Sequence, residues 1–413
     1  MQATPLHRPI TVKVEASIYR LRTRDLLILC VLGLICLGVV MVQSASTDVT
    51  KTVGWQWNQR GAKNLIFAIA GVTAFFSAGF FDYAWLIKRR TSIWKSPILW
   101  LLVLAAFANL IVLVPHIGLS VNGARRWLPL GPLQVQPSEI AKWAIVIFLA
   151  YWLTQRPPEL AHSFLRGYLP MLVPIAVICL LIVIQDFGTA TLIILCSMMM
   201  MLAGRVKLRY LSLTIPPAAA AGLWFLMHKA YRWKRVTAFL NPWADPQKEG
   251  YHMIQSLLSF ATGGVTGRGL GNGIQKLGYL PEDTTDFIFA VICEELGLFG
   301  ALLTVMLYLG VVYVTWQTLR EKKDNFGRML AFGIGTMVSL QGLINIAVAT
   351  VSVPTKGLSL PLVSAGGSGL VITSAALGLL LSVCRHEHPE EVPAPSLPMP
   401  IPVPLSEAPL KAA

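Results

Sequence analysis

Ten long apolar segments constrain this chain more than any other feature of its sequence. A helix needs roughly 20 apolar residues to cross the hydrocarbon core of a bilayer. The segments cover residues 25–46, 64–85, 96–115, 137–154, 168–185, 187–204, 209–228, 285–318, 328–351 and 360–384. Helices satisfy their own backbone hydrogen bonds, and no stretch alternates as barrel strands do. We therefore predict an all-α polytopic membrane protein with about ten transmembrane helices, the eighth long enough to tilt or to project beyond the bilayer.

The composition supports this class of protein. Hydrophobic residues make up 55% of the 413 residues and charged residues only 13%, which is typical of a polytopic membrane protein and not of a soluble one. The six cysteines lie in or beside apolar segments, and none forms a CxxC pair. This pattern excludes a disulfide framework or a zinc site as the basis of the fold.

Basic residues mark alternate ends of the segments. The clusters are Arg20, Arg22 and Arg24; Lys88, Arg89, Arg90 and Lys95; Arg156 and Arg166; Arg205, Lys207 and Arg209; Arg320, Lys322, Lys323 and Arg328. By the positive-inside rule they face the cytoplasm, with both termini inside and a large outer loop, 229–284, between helices 7 and 8. The net charge of +14 then serves membrane anchoring, and no nucleic-acid partner is expected.

Three regions follow from this pattern. Residues 1–24 form a basic cytoplasmic lead-in to a first helix that is retained and is not a cleaved signal peptide. Residues 25–384 form one transmembrane domain. Residues 385–413 are rich in proline and are expected to be a disordered cytoplasmic tail.

The predicted outer loops carry cations that the topology does not require. Arg125 and Arg126 lie in the loop 116–136, and the loop 229–284 holds Lys229, Arg232, Lys234, Arg235, Lys248, Arg268 and Lys276. They indicate either an anionic ligand or a solvated surface. Guanidinium groups suit diphosphates, which makes a lipid diphosphate headgroup a plausible ligand. Glu139 and Lys142 lie at i and i+3 on the following helix, where a local salt bridge is expected.

Carboxylates cluster where the eighth segment begins. Asp286 lies at the predicted outer end of that helix, where capping by itself would explain one acid, but Glu282 and Asp283 lie beside it. Glu294 and Glu295 follow eight and nine residues later, roughly 12–14 Å deeper along a helix. Acids at that depth are costly unless they are paired or protonated. They are either structural pairs or the lining of a polar cavity.

The sequence does not match the motifs of nucleotide-binding proteins or of Ser–His–Asp hydrolases. The glycine-rich run 261–273 does not end in the G-K-[ST] of a Walker A loop, and no strand precedes it as in a dinucleotide-binding unit. No G-x-S-x-G accompanies His228 or His252. We therefore expect no nucleotide cofactor, no ATP-driven transport and no Ser–His–Asp hydrolase.

Six blocks of sequence together resemble the SEDS family, the FtsW, RodA and SpoVE proteins of bacterial cell-wall synthesis. The blocks are "GARRWLPLGPLQVQPSEIAK", "QDFGTA", "AFLNPWADPQKEGYHMIQSLLS", "LPEDTTDFIFAVICEELG", "QGLINIAV" and "PTKGLSLPLVSAGGSG". They appear in the expected order over most of residues 25–384. The "PTKG" at 354–357 is similar to the divisional FtsW branch.

The resemblance implies a ten-helix peptidoglycan glycosyltransferase in the bacterial cytoplasmic membrane, acting at its outer face and in division at the septum. Its implied substrate is lipid II, and its implied partners are a class B penicillin-binding protein and other divisome proteins. The family's essential acid corresponds to Asp286, and its outer-loop arginine to Arg125 or Arg126. Its P-S-E-x-x-K pair corresponds to Glu139 and Lys142.

The sequence departs from the family pattern at several positions. Asp283 and Thr284 replace a common Ala-His, so that histidine cannot be required here. Gly278 stands where some divisional members carry an acid. Gln185 replaces a frequent proline, and "SAGGSG" stands where S-Y-G-G-S-S is usual. Asp286 itself is unaffected, so activity is expected.

The residues themselves and the family resemblance predict the same reaction. Asp286 is the expected general base for an acceptor hydroxyl that attacks an anomeric carbon. Charge on the departing lipid diphosphate is to be neutralised by Arg125, Arg126, Lys142, Arg235 or Lys356, or by a divalent cation such as Mg²⁺ or Mn²⁺, whose ligands the sequence does not identify.

Four acids have supporting roles in this reading: Glu282 in the outer loop, and Asp186, Glu294 and Glu295 around a polar cavity. The alternatives to this function are a lipid II flippase, an elongation polymerase of the RodA type and a divisome scaffold without chemistry. Substitution of Asp286 separates polymerisation from translocation and from scaffolding.

Overall fold

The computed structural model describes residues 22–46, 59–87, 96–121, 124–131, 133–155, 163–228, 230–248 and 250–386. Within them lie twelve α-helices: α1 Thr23–Ala45, α2 Gln59–Phe80, α3 Pro97–Leu113, α4 Pro137–Thr154, α5 Leu169–Val183, α6 Phe187–Ala203, α7 Leu208–His228, α8 Ala230–Leu240, α9 Tyr251–Gly263, α10 Ile288–Glu321, α11 Asn325–Ala349 and α12 Ser368–Arg385. Ten of them, all except α8 and α9, coincide with the ten predicted segments. Most of the predicted N-terminal lead-in and of the Pro-rich tail lies outside the described residues.

Within the described ranges, six helical stretches are long and apolar enough to cross a membrane: Thr23–Ala45, Gly61–Phe80, Phe164–Val183, Ile288–Glu321, Asn325–Ala349 and Ser368–Arg385. Pro97–Leu113 and Phe187–Ala203 are shorter apolar helices of the same bundle. Large apolar side chains such as Ile66, Phe107 and Leu303 are exposed on the bundle surface, as suits contact with lipid tails. The predicted class, a helical multi-pass membrane protein, is confirmed.

The helices place most of the long connections at one end of the bundle. Residues 114–136, 184–186, 229–287 and 350–367 connect helices there, and we call this the loop-rich end. The segments 81–96, 155–168, 204–207 and 322–324 connect helices at the opposite end. The positive-inside pattern predicts that the loop-rich end faces outward.

Helix α10 is two helices joined at a break. Gly297 has φ 64° and ψ −154°, which is not helical and is adopted almost only by glycine. After the break α10 runs antiparallel to α1, with Thr23 Oγ1 3.3 Å from Glu321 Oε2 at one end and Ser44 Oγ 2.8 Å from Glu295 Oε1 at the other. The break therefore lies close to the last turn of α1.

Glu294 and Glu295 lie just before the break, and Glu295 contacts Ser44 in the last turn of α1. The glycine-rich loop packs into the break. The backbone N–H groups of Arg268 and Gly269 donate to the carbonyls of Glu294 and Glu295, each at 3.0 Å.

A small antiparallel sheet, absent from the prediction, occupies the loop between α3 and α4. Its strands are β1 Leu119–Val121, β2 Ala124–Leu130 and β3 Leu133–Val135, in the order β1-β2-β3. Gly131 turns the chain between β2 and β3 with φ 65°. Such short strands leave little hydrophobic alternation in the sequence. The sheet matters because β2 carries Arg125 and Arg126.

We expect Gly297→Ala to destabilise the protein by about 3 kcal/mol or more, because its backbone conformation excludes other residues and a β-carbon there would lie 2.3 Å from the backbone nitrogen of Gly267. The matched control is Gly222→Ala in α7, where a β-carbon meets no atom within 4 Å. Alanine there should leave the stability of the protein at the wild-type level or raise it slightly. Thermal unfolding of the two purified variants in detergent measures the difference, and equal melting temperatures would contradict the break.

Candidate active site

Hydrogen bonds to the backbone carbonyls of Asp286 and of its neighbour Thr285 hold Asp286 at the loop-rich end. The side-chain amide of Asn345, in α11, donates from Nδ2 to the carbonyl oxygens of Asp286 at 2.8 Å and Leu358 at 2.7 Å. Ser364 donates its hydroxyl to the carbonyl of Thr285, next to Asp286. The turn before α10 is thereby fixed to the loop between α11 and α12, and both segments carry predicted site residues.

Asp286 and Arg126 flank one point on that loop. A β-carbon built on Gly357 would lie 3.4 Å from Asp286 Oδ2 and 3.4 Å from Arg126 Nη1. A carboxylate and a guanidinium therefore approach the same glycine from two different segments. The absence of a side chain at Gly357 leaves space between them.

The fold separates the two candidate arginines. Arg126 donates from Nε to the carbonyl of Gln185 at 2.8 Å, and its Nη1 lies 3.9 Å from Asp186 Oδ2. The cations that lower the pKa of Asp286 are Arg126 and Arg235. Arg125 contributes its backbone N–H, which donates to Gln185 Oε1 at 3.1 Å.

Asp186 supports the site and is itself buried. It caps the N-terminus of α6, where its carboxylate accepts the N–H of Thr189 at 3.0 Å and the hydroxyl of Thr189 at 2.9 Å. The first turn of a helix favours a negative charge. Gln185 and Asp186, which hold Arg126, are therefore anchored at the N-terminus of α6.

The Asp286 carboxyl is unusually easy to protonate. Its pKa is raised to about 7, chiefly by burial and then by the negative charges of Glu282 and Asp186, while Arg126 and Arg235 oppose them. A carboxyl with a pKa close to neutral is well matched to accept a proton at physiological pH.

Two more cations belong to this end of the bundle. Arg235, in α8, is partly buried and near enough to lower the pKa of Asp286. The Lys356 ammonium lies 5.8 Å from the centre of the Phe187 ring, and burial lowers its pKa. None of the four ion pairs in the described part of the chain involves Lys356. A partly buried ammonium of this kind favours an incoming anion.

Glu139 and Lys142 form the predicted local salt bridge, but it is buried beneath the site. Lys142 Nζ lies 2.9 Å from Glu139 Oε2, and its side chain is 0% exposed. Lys142 also donates to Gln341 Oε1 at 2.7 Å, and Gln341 donates from Nε2 to the carbonyl of Ser359 at 2.8 Å. The pair thus supports the loop that carries Gly357. In this arrangement the Lys142 ammonium faces the Glu139 carboxylate.

Glu294 and Glu295 are buried partners of the glycine-rich loop. Glu295 accepts from Lys276 Nζ at 2.8 Å and from the hydroxyl of Ser44. Glu294 accepts the backbone N–H of Ile274 at 2.8 Å. This geometry matches the structural alternative for both acids.

Glu282 shapes the turn that ends at Asp286. It has φ 58°, its carboxylate accepts the Thr285 hydroxyl at 2.8 Å, and its carbonyl accepts the N–H groups of Thr285 and Phe287. A non-glycine residue in the left-handed region needs such local support. Its place agrees with the predicted role in the outer loop.

The acids at this end do not form a ready metal site. Across the described residues, no group of three or more His, Cys, Asp or Glu side chains is arranged to hold an ion. A divalent cation would have to draw ligands from a bound diphosphate, as Mg²⁺ often does. The divalent cation therefore stays a prediction, and no mechanistic step is derived through it.

Several residues that hold the site together were not singled out from the sequence. Gln341, Asn345 and Gly357 all fall inside the blocks that carry the family resemblance. Gln341 and Asn345 are amides one turn apart within an apolar helix, where an unpaired polar group is costly. The spacing of these two amides is the feature of the sequence from which their role could have been predicted.

Comparison with known proteins agrees with this arrangement. A family model described as "Cell cycle protein", covering FtsW, RodA and SpoVE, matches residues 24–389. The chain is 39% identical over 365 residues to the probable peptidoglycan glycosyltransferase FtsW of Geobacter sulfurreducens (strain ATCC 51573 / DSM 12127 / PCA), covering 87% of this chain and 94% of that protein. It is 38% identical over 355 residues to the protein of that name from Saccharophagus degradans, covering 85% and 89%.

Two solved structures share the fold. A chain from work titled "Structural coordination of polymerization and crosslinking by a peptidoglycan synthase complex" matches with a TM-score of 0.68 and 28% identity, covering 87% of this chain and 96% of that chain. The rod shape determining protein RodA of Thermus thermophilus matches with a TM-score of 0.61 and 25% identity, covering 87% and 95%. The chain therefore belongs to the FtsW/RodA/SpoVE family of cell cycle proteins.

Proposed function

We propose that this protein is a peptidoglycan glycosyltransferase that polymerises lipid II at the outer face of the bacterial cytoplasmic membrane. The observation that carries the proposal is the pair formed by Asp286 and Arg126. The two side chains approach Gly357 from different segments, and the pKa of Asp286 is about 7. The names of the FtsW relatives support the reaction class.

Asp286 acts as the general base in this mechanism. Its carboxylate takes the proton of an acceptor sugar hydroxyl as that oxygen attacks the anomeric carbon of the donor. The new glycosidic bond forms as the bond from the anomeric carbon to the lipid diphosphate breaks. One direct displacement inverts the configuration at that carbon.

Cations stabilise the departing diphosphate. A diphosphate leaves without a proton donor, so the two-carboxylate arrangement of glycoside hydrolases is not needed. Negative charge accumulates on its oxygens in the transition state, where Arg126, Arg235 and Lys356 are placed to neutralise it. A bound Mg²⁺ or Mn²⁺ would add to this neutralisation.

The relatives favour a role in division. The proteins named above as FtsW are 38–39% identical to this chain, whereas RodA of Thermus thermophilus is 25% identical. We propose a septal role, both termini in the cytoplasm, and work alongside a class B penicillin-binding protein and other divisome proteins. The matched structure titled as a peptidoglycan synthase complex supports a partner that crosslinks the strands.

Asp286→Asn should lower the rate of lipid II polymerisation by roughly a hundred- to ten-thousand-fold, because the amide cannot accept the proton. The protein is purified with its penicillin-binding partner and incubated with lipid II, and glycan chains are followed on a gel. Asp283→Asn, in the same turn, is the matched control and should polymerise like the wild type. Lost translocation with intact polymerisation would favour a flippase, and no effect on either would favour a scaffold.

The polymerisation rate should rise with pH through about 7, because only the ionised Asp286 carboxyl can act as a base. Glu282→Gln removes a negative neighbour that raises this pKa. The acid limb of its profile should therefore move to lower pH. Initial rates measured from pH 5 to 9 test both statements, and a flat profile in the wild type would rule out this base.

Arg126→Gln should lower the rate roughly a hundredfold, the usual cost of losing one group that stabilises developing negative charge. Arg125→Gln removes the same charge from the adjacent residue of the same strand. It should change the rate by no more than about threefold, since Arg126 and not Arg125 acts on the Asp286 carboxyl. Equal losses in the two variants would show that the arginines act only through general charge.

A further inference from the structure

A cavity of about 540 Å³ lies at the opposite end of the bundle, away from Asp286. It is formed where α4, α6, α10 and α11 end or begin. Its lining combines polar residues, Thr154, Arg205, Asn325 and Arg328, with apolar residues such as Phe332. The proposed transferase reaction makes no use of it.

The two arginines bring positive charge that the described residues do not neutralise. Neither Arg205 nor Arg328 takes part in any of the four ion pairs in the described part of the chain. Asp324, just before α11, is engaged elsewhere. Its carboxylate accepts the N–H groups of Phe326 and Gly327, and the Tyr83 hydroxyl at 3.1 Å.

Arg205 also holds a backbone conformation that disfavours arginine. Its φ is 57°, in the left-handed region, where helices usually end with glycine. The chain has a glycine one position earlier instead, because a β-carbon on Gly204 would lie 2.8 Å from Leu153 Cδ2. The conformation belongs to the cap of α6, where the N–H of Val206 donates to the carbonyl of Met201 and that of Arg205 to the carbonyl of Leu202, each at 3.0 Å. The cap places Arg205 in the lining of the cavity.

We propose that this cavity binds the phosphate diester of an anionic phospholipid. Guanidinium groups match phosphate oxygens in geometry and charge, and the Asn325 amide adds a donor. The apolar wall near Phe332 suits the glycerol and upper acyl carbons of a lipid better than a free phosphate ion. Basic pockets between helix ends on the cytoplasmic side of a membrane favour such headgroups. The inference does not depend on the transferase function.

Native mass spectrometry of the full chain in detergent, titrated with dioleoyl phosphatidylglycerol, measures the binding. The variant Arg205→Ala/Arg328→Ala should bind about 25-fold more weakly, or about fivefold for each arginine. The control Lys207→Ala/Lys323→Ala removes the same charge from residues of the same end that do not line the cavity. It should bind like the wild type, and an equal loss in the control would overturn the proposal.

Arg205→Gly separates binding from folding. Glycine relieves the left-handed strain, so this variant should melt at a higher temperature than the wild type in neutral lipid, yet bind phosphatidylglycerol about fivefold more weakly. Unchanged binding with a higher melting temperature would show that the arginine serves no ligand.

A competition experiment distinguishes the source of the phosphate. Inorganic phosphate at millimolar concentration should not displace phosphatidylglycerol, and dioleoyl phosphatidylcholine should bind more weakly. Full displacement by inorganic phosphate, or equal binding of the neutral lipid, would contradict an anionic phospholipid site.

Discussion

The side-chain amide of Asn345 joins the turn before α10 to the loop between α11 and α12, alongside the hydrogen bond from Ser364 to Thr285. It donates to the carbonyls of Asp286 and Leu358, so α11 sets the position of both the turn before α10 and the loop that contains Gly357. Gln341, one turn earlier on the same face, binds the carbonyl of Ser359 and the buried Lys142. Removing such an amide would leave buried carbonyls unpaired, at about 1–3 kcal/mol each. The position of Asp286 beside Gly357 depends on these hydrogen bonds.

The charges around that spacing are arranged for proton transfer and for an anionic leaving group. Asp286 is surrounded by enough low-dielectric protein and negative charge to hold its proton weakly near neutral pH. Arg126 prevents the pKa from rising further and presents its guanidinium toward the same space. Lys356, whose pKa is lowered by burial, has most to gain from a diphosphate beside it. The acid and the cations therefore have separate tasks in one confined place.

Much of this protein could be predicted from its sequence, because bilayer thickness fixes helix length and apolar runs of that length are unmistakable. The break at Gly297 could not be predicted, since its cause is the close approach of Gly267 from another segment. Asp286 stood out from its block, but the choice of Arg126 over Arg125 required the contacts of Arg126 with Gln185 and Asp186, and the role of Gly357 required the fold.

The central claim is that the reaction takes place in the space between Asp286 and Arg126 beside Gly357. Gly357→Ala places a methyl group there at ordinary contact distance, 3.4 Å from each side chain, so the fold should tolerate it. Gly366→Ala is the matched control, because its β-carbon would lie 3.7 Å or more from every neighbour. The rate of lipid II polymerisation should fall at least tenfold in Gly357→Ala, with an unchanged melting temperature, and remain at the wild-type level in Gly366→Ala. Full activity of a correctly folded Gly357→Ala protein would show that the chemistry takes place elsewhere.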